Sequence, residues 1–136
     1  MPVHVDWFDE TKMILYWQFT GRWTINELLE VYDEACGMCD TVPDRWVHTI
    51  ADMRETSMMP NLISSSVSKR AMRDPKNYAG AFVVTNSGFF QAMVNIMNRI
   101  GGSKGKFYIA SSIEAAQAGI QERLRTLPQI SNVDAQ

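Results

Sequence analysis

The chain is poor in the residues that reactive or cross-linked sites use, with only two cysteines and two histidines among its 136 residues. Two cysteines three positions apart cannot form a disulfide framework. No apolar run approaches the roughly 18 residues that span a bilayer, and the N-terminus lacks the basic and then apolar pattern of a secretory signal. Acidic and basic residues are interspersed, with a net charge of −2 and no basic stripe of the kind that nucleic-acid binding requires. We therefore expect a cytoplasmic protein without membrane insertion or a nucleic-acid partner.

What the chain does have is the length and composition of one globular domain. Hydrophobic residues make up 46% of it and charged residues 21%, which is ordinary for a soluble fold. A chain of this length can bury a core without disulfide or metal staples. We expect the domain to occupy residues 1–125, followed by a polar tail over residues 126–136.

Five segments have the composition of β-strands. Val3–Phe8 and Met13–Thr20 are separated by a few polar residues and should pair as an antiparallel hairpin. Trp46–Asp52 is a third strand. Ala79–Thr85 lacks polar alternation, which indicates a strand covered on both faces, and Lys106–Ala110 is a short fifth strand.

The first helix begins with a capping box, in which Thr24 accepts from the backbone of Glu27 and the Glu27 side chain reaches back. Apolar residues follow at helical spacing and should form the buried face, which ends near Val42. This face consists of Ile25, Leu28, Leu29, Tyr32, Ala35, Cys36 and Cys39.

Three further helices are predicted after the third, fourth and fifth strands. The weakest covers Met59–Arg73, where serines dilute the apolar period. Ser87 is a cap for the next helix, which Gly101 and Gly102 end. Ser111 and Glu114 repeat the capping-box spacing before a last helix, whose inward face should run through Ala115, Ala118 and Leu124.

The resulting order is β-β-α-β-α-β-α-β-α, which is typical of an α/β fold. Helical crossovers return each strand parallel to the previous one. We therefore expect a single mixed, mostly parallel five-stranded sheet with four helices, in which the hairpin adds one antiparallel edge strand.

This order resembles the STAS domains, the fold of bacterial anti-sigma-factor antagonists, and in particular their SpoIIAA-like relatives. The resemblance extends from Val3 to Leu124 and depends on three short motifs. They are the turn Phe19–Thr24 (Phe-Thr-Gly-Arg-Trp-Thr), the strand end Phe82–Asn86 (Phe-Val-Val-Thr-Asn) and the helix start Ser112–Ala116 (Ser-Ile-Glu-Ala-Ala). It implies a non-enzymatic regulatory module that binds a protein partner or a second copy of itself.

The sequence departs from the family at the regulatory serine, which in the antagonists lies in an Asp-Ser-Ser-Gly-type turn after the central strand. The corresponding stretch here is Asp52–Asn61, in which neither Thr56 nor Ser57 directly follows an aspartate and no glycine closes the turn. Ser57 and Thr56 are the candidate phosphoacceptors that the resemblance leaves. The alternative interpretation is a polar loop before a helix.

Polar residues that follow the third and fourth strands should meet at one edge of the sheet, where open α/β sheets bind ligands. Methionine and phenylalanine side chains from the same loops would give this edge an apolar mouth, suited to a lipid-like ligand or a partner helix. Capping and turn formation or core filling is the alternative role for each residue. The predicted ligand- or partner-binding set is Asp52, Arg54, Ser57, Met58, Met59, Asn86, Ser87, Phe89 and Phe90.

Cys36 and Cys39 have the spacing of a redox pair, but they lie in the last turns of the first helix, where the dipole disfavours a thiolate. We interpret them as buried structural residues. A metal site would have to combine them with His4 and His48, without regular ligand spacing. We predict no metal, no cofactor and no catalytic residue, and we expect His48 to project from the sheet beside Ile50.

Three functions remain, in this order. The first is a non-enzymatic interaction module that binds a protein partner or its own copy. The second is a sensor or carrier of a small apolar ligand held near Met58, Met59, Phe89 and Phe90. The third is a thiol redox enzyme that uses Cys36 and Cys39.

Overall fold

The fold is built on one five-stranded sheet, seen in a computed structural model that describes residues 2–56, 75–88, 90–92, 94–95 and 107–130. The strands lie side by side in chain order. Three helices are present in the described residues, and the residues of α2 that are described are 88, 90–92 and 94–95. The other elements are β1 (Val3–Trp7), β2 (Ile14–Gly21), α1 (Ile25–Asp40), β3 (Val47–Thr56), β4 (Tyr78–Val84), β5 (Phe107–Ala110) and α3 (Ile113–Thr126).

The pairing of the strands confirms the predicted mixed sheet. β1 and β2 form an antiparallel hairpin, in which Val3 lies opposite Phe19. The other pairs, β2–β3, β3–β4 and β4–β5, are all parallel. The predicted helix Met59–Arg73 lies outside the described residues, so the four-helix count is neither met nor contradicted.

Helix α1 begins where the sequence predicts, because its first turn satisfies its own backbone. The Glu27 amide donates to Thr24 Oγ1 over 3.2 Å, and the Thr24 amide donates to Glu27 Oε1 over 3.1 Å. At the other end, the buried Asn77 side chain donates to the carbonyl oxygens of Cys39 and Val42 over 3.0 and 2.9 Å. These carbonyl oxygens also accept from the Val42 and Arg45 amides over 3.1 and 3.4 Å, so Asn77 reinforces the turn that ends α1.

The sheet has two covered faces. On the first face, α1 and α2 bury an apolar cluster that includes Phe19, Val31, Cys39, Phe90 and Val94. On the second face, α3 covers β3, β4 and β5. The buried residues there are Ile14, Ile50, Phe82, Val84, Ala110, Ala116 and Ile120.

The last helix was predicted, but its predicted cap and two of its predicted inward-facing residues were wrong. Ser112, not Ser111, is the cap, and its hydroxyl accepts from the Ala115 amide over 3.0 Å. The helix therefore begins one residue later than predicted, at Ile113. Ala116 and Ile120 are buried, whereas the expected inward residues Ala115 and Ala118 are exposed. Leu124 is partly buried against the cluster, as expected.

The residues after α3 return to the sheet. The Trp46 indole donates to the carbonyl oxygen of Pro128 over 2.6 Å, next to the start of β3. None of the helices in the described ranges is long and apolar enough to cross a membrane.

Two helical glycines have opposite surroundings and allow a matched test of the packing of α3. A Cβ atom added at Gly119 would lie 2.8 Å from Cζ of the Phe82 ring, which is buried and stacked on Tyr108 with 4.9 Å between the ring centroids. A Cβ atom added at Gly37 in α1 would meet nothing within 4 Å.

We expect Gly119→Ala to lower the free energy of unfolding by about 1–3 kcal/mol, because overpacking outweighs the gain in helix propensity. We expect Gly37→Ala to raise it by up to about 1 kcal/mol. Urea unfolding followed by circular dichroism measures both changes. Equal stabilisation by the two substitutions would contradict the close approach of α3 to the sheet.

Candidate functional site

A groove of about 260 Å³ opens where β3 and β4 end. The register aligns Asp52 with Val84, so the residues that follow these positions meet at the same edge of the sheet. Apolar, hydroxyl and amide residues line the groove together with one arginine. The lining residues are Met53, Arg54, Thr56, Thr85, Asn86, Ser87 and Phe90.

The structure brings much of the predicted binding set to this groove. Arg54, Asn86, Ser87 and Phe90 line it directly, and Phe90 is buried in the first-face core. Ser57, Met58, Met59 and Phe89 lie outside the described residues. Asp52 belongs to the same strand end but stands behind Arg54 rather than in the lining.

The polar residues after β4 also form the turn into α2. The Ser87 amide donates to Thr85 Oγ1 over 3.1 Å, and the Phe90 amide donates to Ser87 Oγ over 3.5 Å. Ser87 is therefore at the predicted cap position. Asn86 is exposed at the rim, so of these three polar residues it is the most accessible to a ligand.

Arg54, one of the lining residues, is paired with a buried carboxylate. Arg54 donates through Nε to Asp52 Oδ1 over 2.9 Å and through Nη2 to Asp52 Oδ2 over 2.8 Å. The Tyr16 hydroxyl donates to Asp52 Oδ2 over 2.6 Å. The side chain of Asp52 is 7% exposed and that of Arg54 is 42% exposed. The carboxylate is therefore buried, and the arginine reaches the solvent.

These contacts determine the protonation of the three groups. Hydrogen bonds from Arg54, aided by the one from Tyr16, lower the pKa of Asp52 to about 2 although burial opposes them. Burial and the bond to Asp52 raise the pKa of Tyr16 to about 12, and Asp52 raises the pKa of Arg54. At neutral pH the carboxylate is therefore ionised and the phenol neutral, and neither is poised for general acid or base catalysis.

Sequence reasoning missed Tyr16. Its side chain reaches Asp52 across the β2–β3 pairing, where Tyr16 lies beside Ile50 and Gln18 beside Asp52. Alternation along β2 shows which residues share a face, but it does not reveal the register between two strands that are 36 positions apart at this contact.

Thr56, one of the two predicted phosphoacceptors, is 9% exposed at the end of β3. Its hydroxyl donates to the Gly21 carbonyl oxygen over 2.8 Å and accepts from the Trp23 indole over 3.0 Å. Phosphorylation of Thr56 would require this strand end to open. Ser57, the other candidate, remains a prediction.

The thiols and the imidazoles do not form a shared site. Cys36 and Cys39 are 5% and 2% exposed in the last turns of α1, as expected for structural cysteines. Cys39 lies in the first-face core, whereas His48 projects from the second face with Ile50, against the Phe82 ring. Among the described residues, no group of three or more histidine, cysteine or acidic side chains could hold a metal ion.

The architecture has a counterpart among solved structures. An uncharacterised protein of the DUF3478 family from Shewanella loihica PV-4, described as having a SpoIIAA-like fold, superposes with a TM-score of 0.62. The match covers 86% of this chain and 90% of that one at 9% sequence identity. No protein-family model matches the chain, and no curated protein matches it in sequence. The chain therefore has a SpoIIAA-like fold, as the resemblance implied.

The buried Asp52 carboxylate should make the free energy of unfolding depend on pH in the acid range. Since its pKa is lower in the folded protein than the ordinary 3.8, Asp52 stabilises the fold above pH 4. This contribution, about 2 kcal/mol, is lost as the pH falls from about 4 to 2.

We expect Asp52→Asn to lower the free energy of unfolding at pH 7 by roughly 1–3 kcal/mol, and the difference from wild type to shrink toward pH 2. Asp44→Asn is the matched control, because Asp44 also pairs with an arginine but on the surface. It should not change stability measurably. Urea unfolding at several pH values measures the difference, and a pH-independent effect of Asp52→Asn would contradict the assignment.

Proposed function

We propose that the chain is a non-enzymatic regulatory module that binds a protein partner at the groove beyond β3 and β4. The observation that carries this proposal is the placement of Arg54, which Asp52 and Tyr16 hold in position at the groove. An arginine fixed in advance loses little conformational freedom when it binds. Arginine is also among the residues that most often dominate protein interfaces.

The chemistry of the groove supports binding rather than catalysis. Asp52 is ionised and Tyr16 protonated across the neutral range, so neither exchanges protons readily at physiological pH. The SpoIIAA-like fold agrees with a regulatory role, although a fold by itself does not determine a function.

The size of the groove bears on the second candidate, a small apolar ligand. Met53 and Phe90 are buried apolar residues at its base and favour such a ligand. However, a volume of about 260 Å³ is below the roughly 300–1,000 Å³ of typical small-molecule pockets. A single anchoring side chain of a partner fits this space better than a lipid tail.

Site-specific photo-crosslinking in the native host tests the proposal. We expect a benzophenone amino acid at Asn86 to capture one discrete partner, and the same probe at Gln121 to capture none. Both positions are exposed amides, but Gln121 lies on α3, away from the groove. Mass spectrometry identifies the captured chain. If that chain is a second copy of this protein, the complex is a homodimer.

Binding of the purified partner then tests the role of Arg54. We expect Arg54→Ala to weaken binding at least about tenfold, which is about 1.4 kcal/mol, because the fixed guanidinium is lost. Arg125→Ala is the control, since Arg125 is an exposed arginine on α3, and it should change affinity less than about twofold. Equal crosslinking at both positions, or equal affinities of the two variants, would exclude the groove as the binding site. Native mass spectrometry showing a co-purified small molecule instead of a partner would favour the second candidate.

A further inference from the structure

Helix α3 follows β5 and covers the second face, where it contacts β3, β4 and β5. Only Ala116 and Ile120 are fully buried within α3. Ile113 and Leu124 are partly buried against the same cluster, and polar contacts add to this apolar packing.

One arginine supplies most of these polar contacts. Arg123 of α3 donates through Nε to His48 Nε2 over 3.3 Å, through Nη1 to the Tyr108 hydroxyl over 2.6 Å and through Nη2 to the Ala79 carbonyl oxygen over 2.7 Å. The three acceptors belong to β3, β5 and β4. The guanidinium carbon also lies 4.8 Å from the centroid of the Tyr108 ring.

The bond between Arg123 and His48 requires a neutral imidazole. Because Arg123 donates, His48 Nε2 must carry a lone pair, and the ring proton is assigned to Nδ1. His48 is 0% exposed, and its Nδ1 atom has no hydrogen-bond partner in the described part of the chain. A second proton would go onto Nε2, directly against the guanidinium.

The groups around His48 offer a second proton no compensation. The ionisable groups facing it are Arg123 from α3 and, beyond the guanidinium, Tyr108 from β5. Its register neighbours, Ile14 on β2 and Gly80 on β4, do not ionise. Asp52 and Arg54 lie further along β3 and are paired with each other.

We propose that α3 is an acid-sensitive cover of the second face, released when His48 gains a proton and repels Arg123. Release would expose the apolar surface formed by β2–β5, which includes Ile14, Ile50, Phe82, Val84 and Ala110. This device does not depend on the groove or on its partner.

The pH range follows from the two states of His48. Burial, together with the charge of Arg123, lowers the pKa of docked His48 from the ordinary 6.5 to about 4. In the released state the ring is hydrated and titrates near 6.5. The docking of α3 is therefore unaffected above pH 7 and weakens as the pH falls from 6.5 to 4, by about 30-fold at pH 5.

Amide hydrogen exchange resolved by residue measures this release directly. We expect the protection factors of α3 in the wild-type protein to fall roughly 10- to 30-fold between pH 7 and pH 5, and to lie below those of β2 and β3 at both pH values, because α3 opens while the strands stay paired. His48→Gln, which can still accept from Arg123 but cannot gain a charge, should make α3 protection independent of pH. His4→Gln is the matched control, because His4 is the other histidine and is exposed, and it should behave as wild type.

Three results would overturn the proposal. One is wild-type α3 protection that is unchanged between pH 7 and 5, and another is an equal loss in His48→Gln. The third is α3 protection equal to that of β2 and β3 at both pH values, which would show that α3 opens only when the whole protein unfolds. The comparison of α3 with the central strands needs only the wild-type protein, so it decides the matter even if His48→Gln does not fold.

Discussion

The burial of β3 is the constraint on which the rest of the structure depends. Seven consecutive residues of this strand, from Val47 to Met53, are buried, with parallel neighbours on both sides. Two of them, His48 and Asp52, carry polar groups on the second face. A buried polar group that loses water must find another partner, or it destabilises the fold by roughly 1–3 kcal/mol. The positions of Arg54, Tyr16 and Arg123 follow from this requirement.

The two arginines have opposite electrostatic effects on the same strand. Arg54 faces a carboxylate and stabilises its charge, which lowers the pKa of Asp52. Arg123 faces an imidazole and opposes its charging, which with burial lowers the pKa of His48. At neutral pH one polar residue of β3 is thus ionised and the other neutral. The ionised pair lies at the carboxyl edge of the sheet, and the neutral contact lies under α3.

The similarity to a solved structure at 9% sequence identity is a similarity in fold alone. Strand and helix periodicity, together with caps and turns, suffices to specify such a sheet. Arguments about the function of this chain therefore begin from its own side chains, such as Asp52, Arg54 and Tyr16, and not from the fold. The two covered faces also separate chemistry that the sequence lists together, because the thiols of α1 and the imidazole of His48 are on opposite sides of the sheet.

The sequence by itself determined the order of the elements, the hairpin, the parallel return of β3 and the start of α1. These depend on periodicity and on contacts within a few residues, such as the one between Thr24 and Glu27. It also placed Arg54, Asn86 and Ser87 at one edge, because adjacent parallel strands end together. Only the tertiary structure decided that the Tyr16 hydroxyl donates to Asp52 and that Arg123 donates to His48. It also decided that Ala116, and not Ala115, is buried in α3. These contacts depend on strand register and on the docking angle of a helix, which are set by the packing of many side chains together and leave no local signal in the sequence.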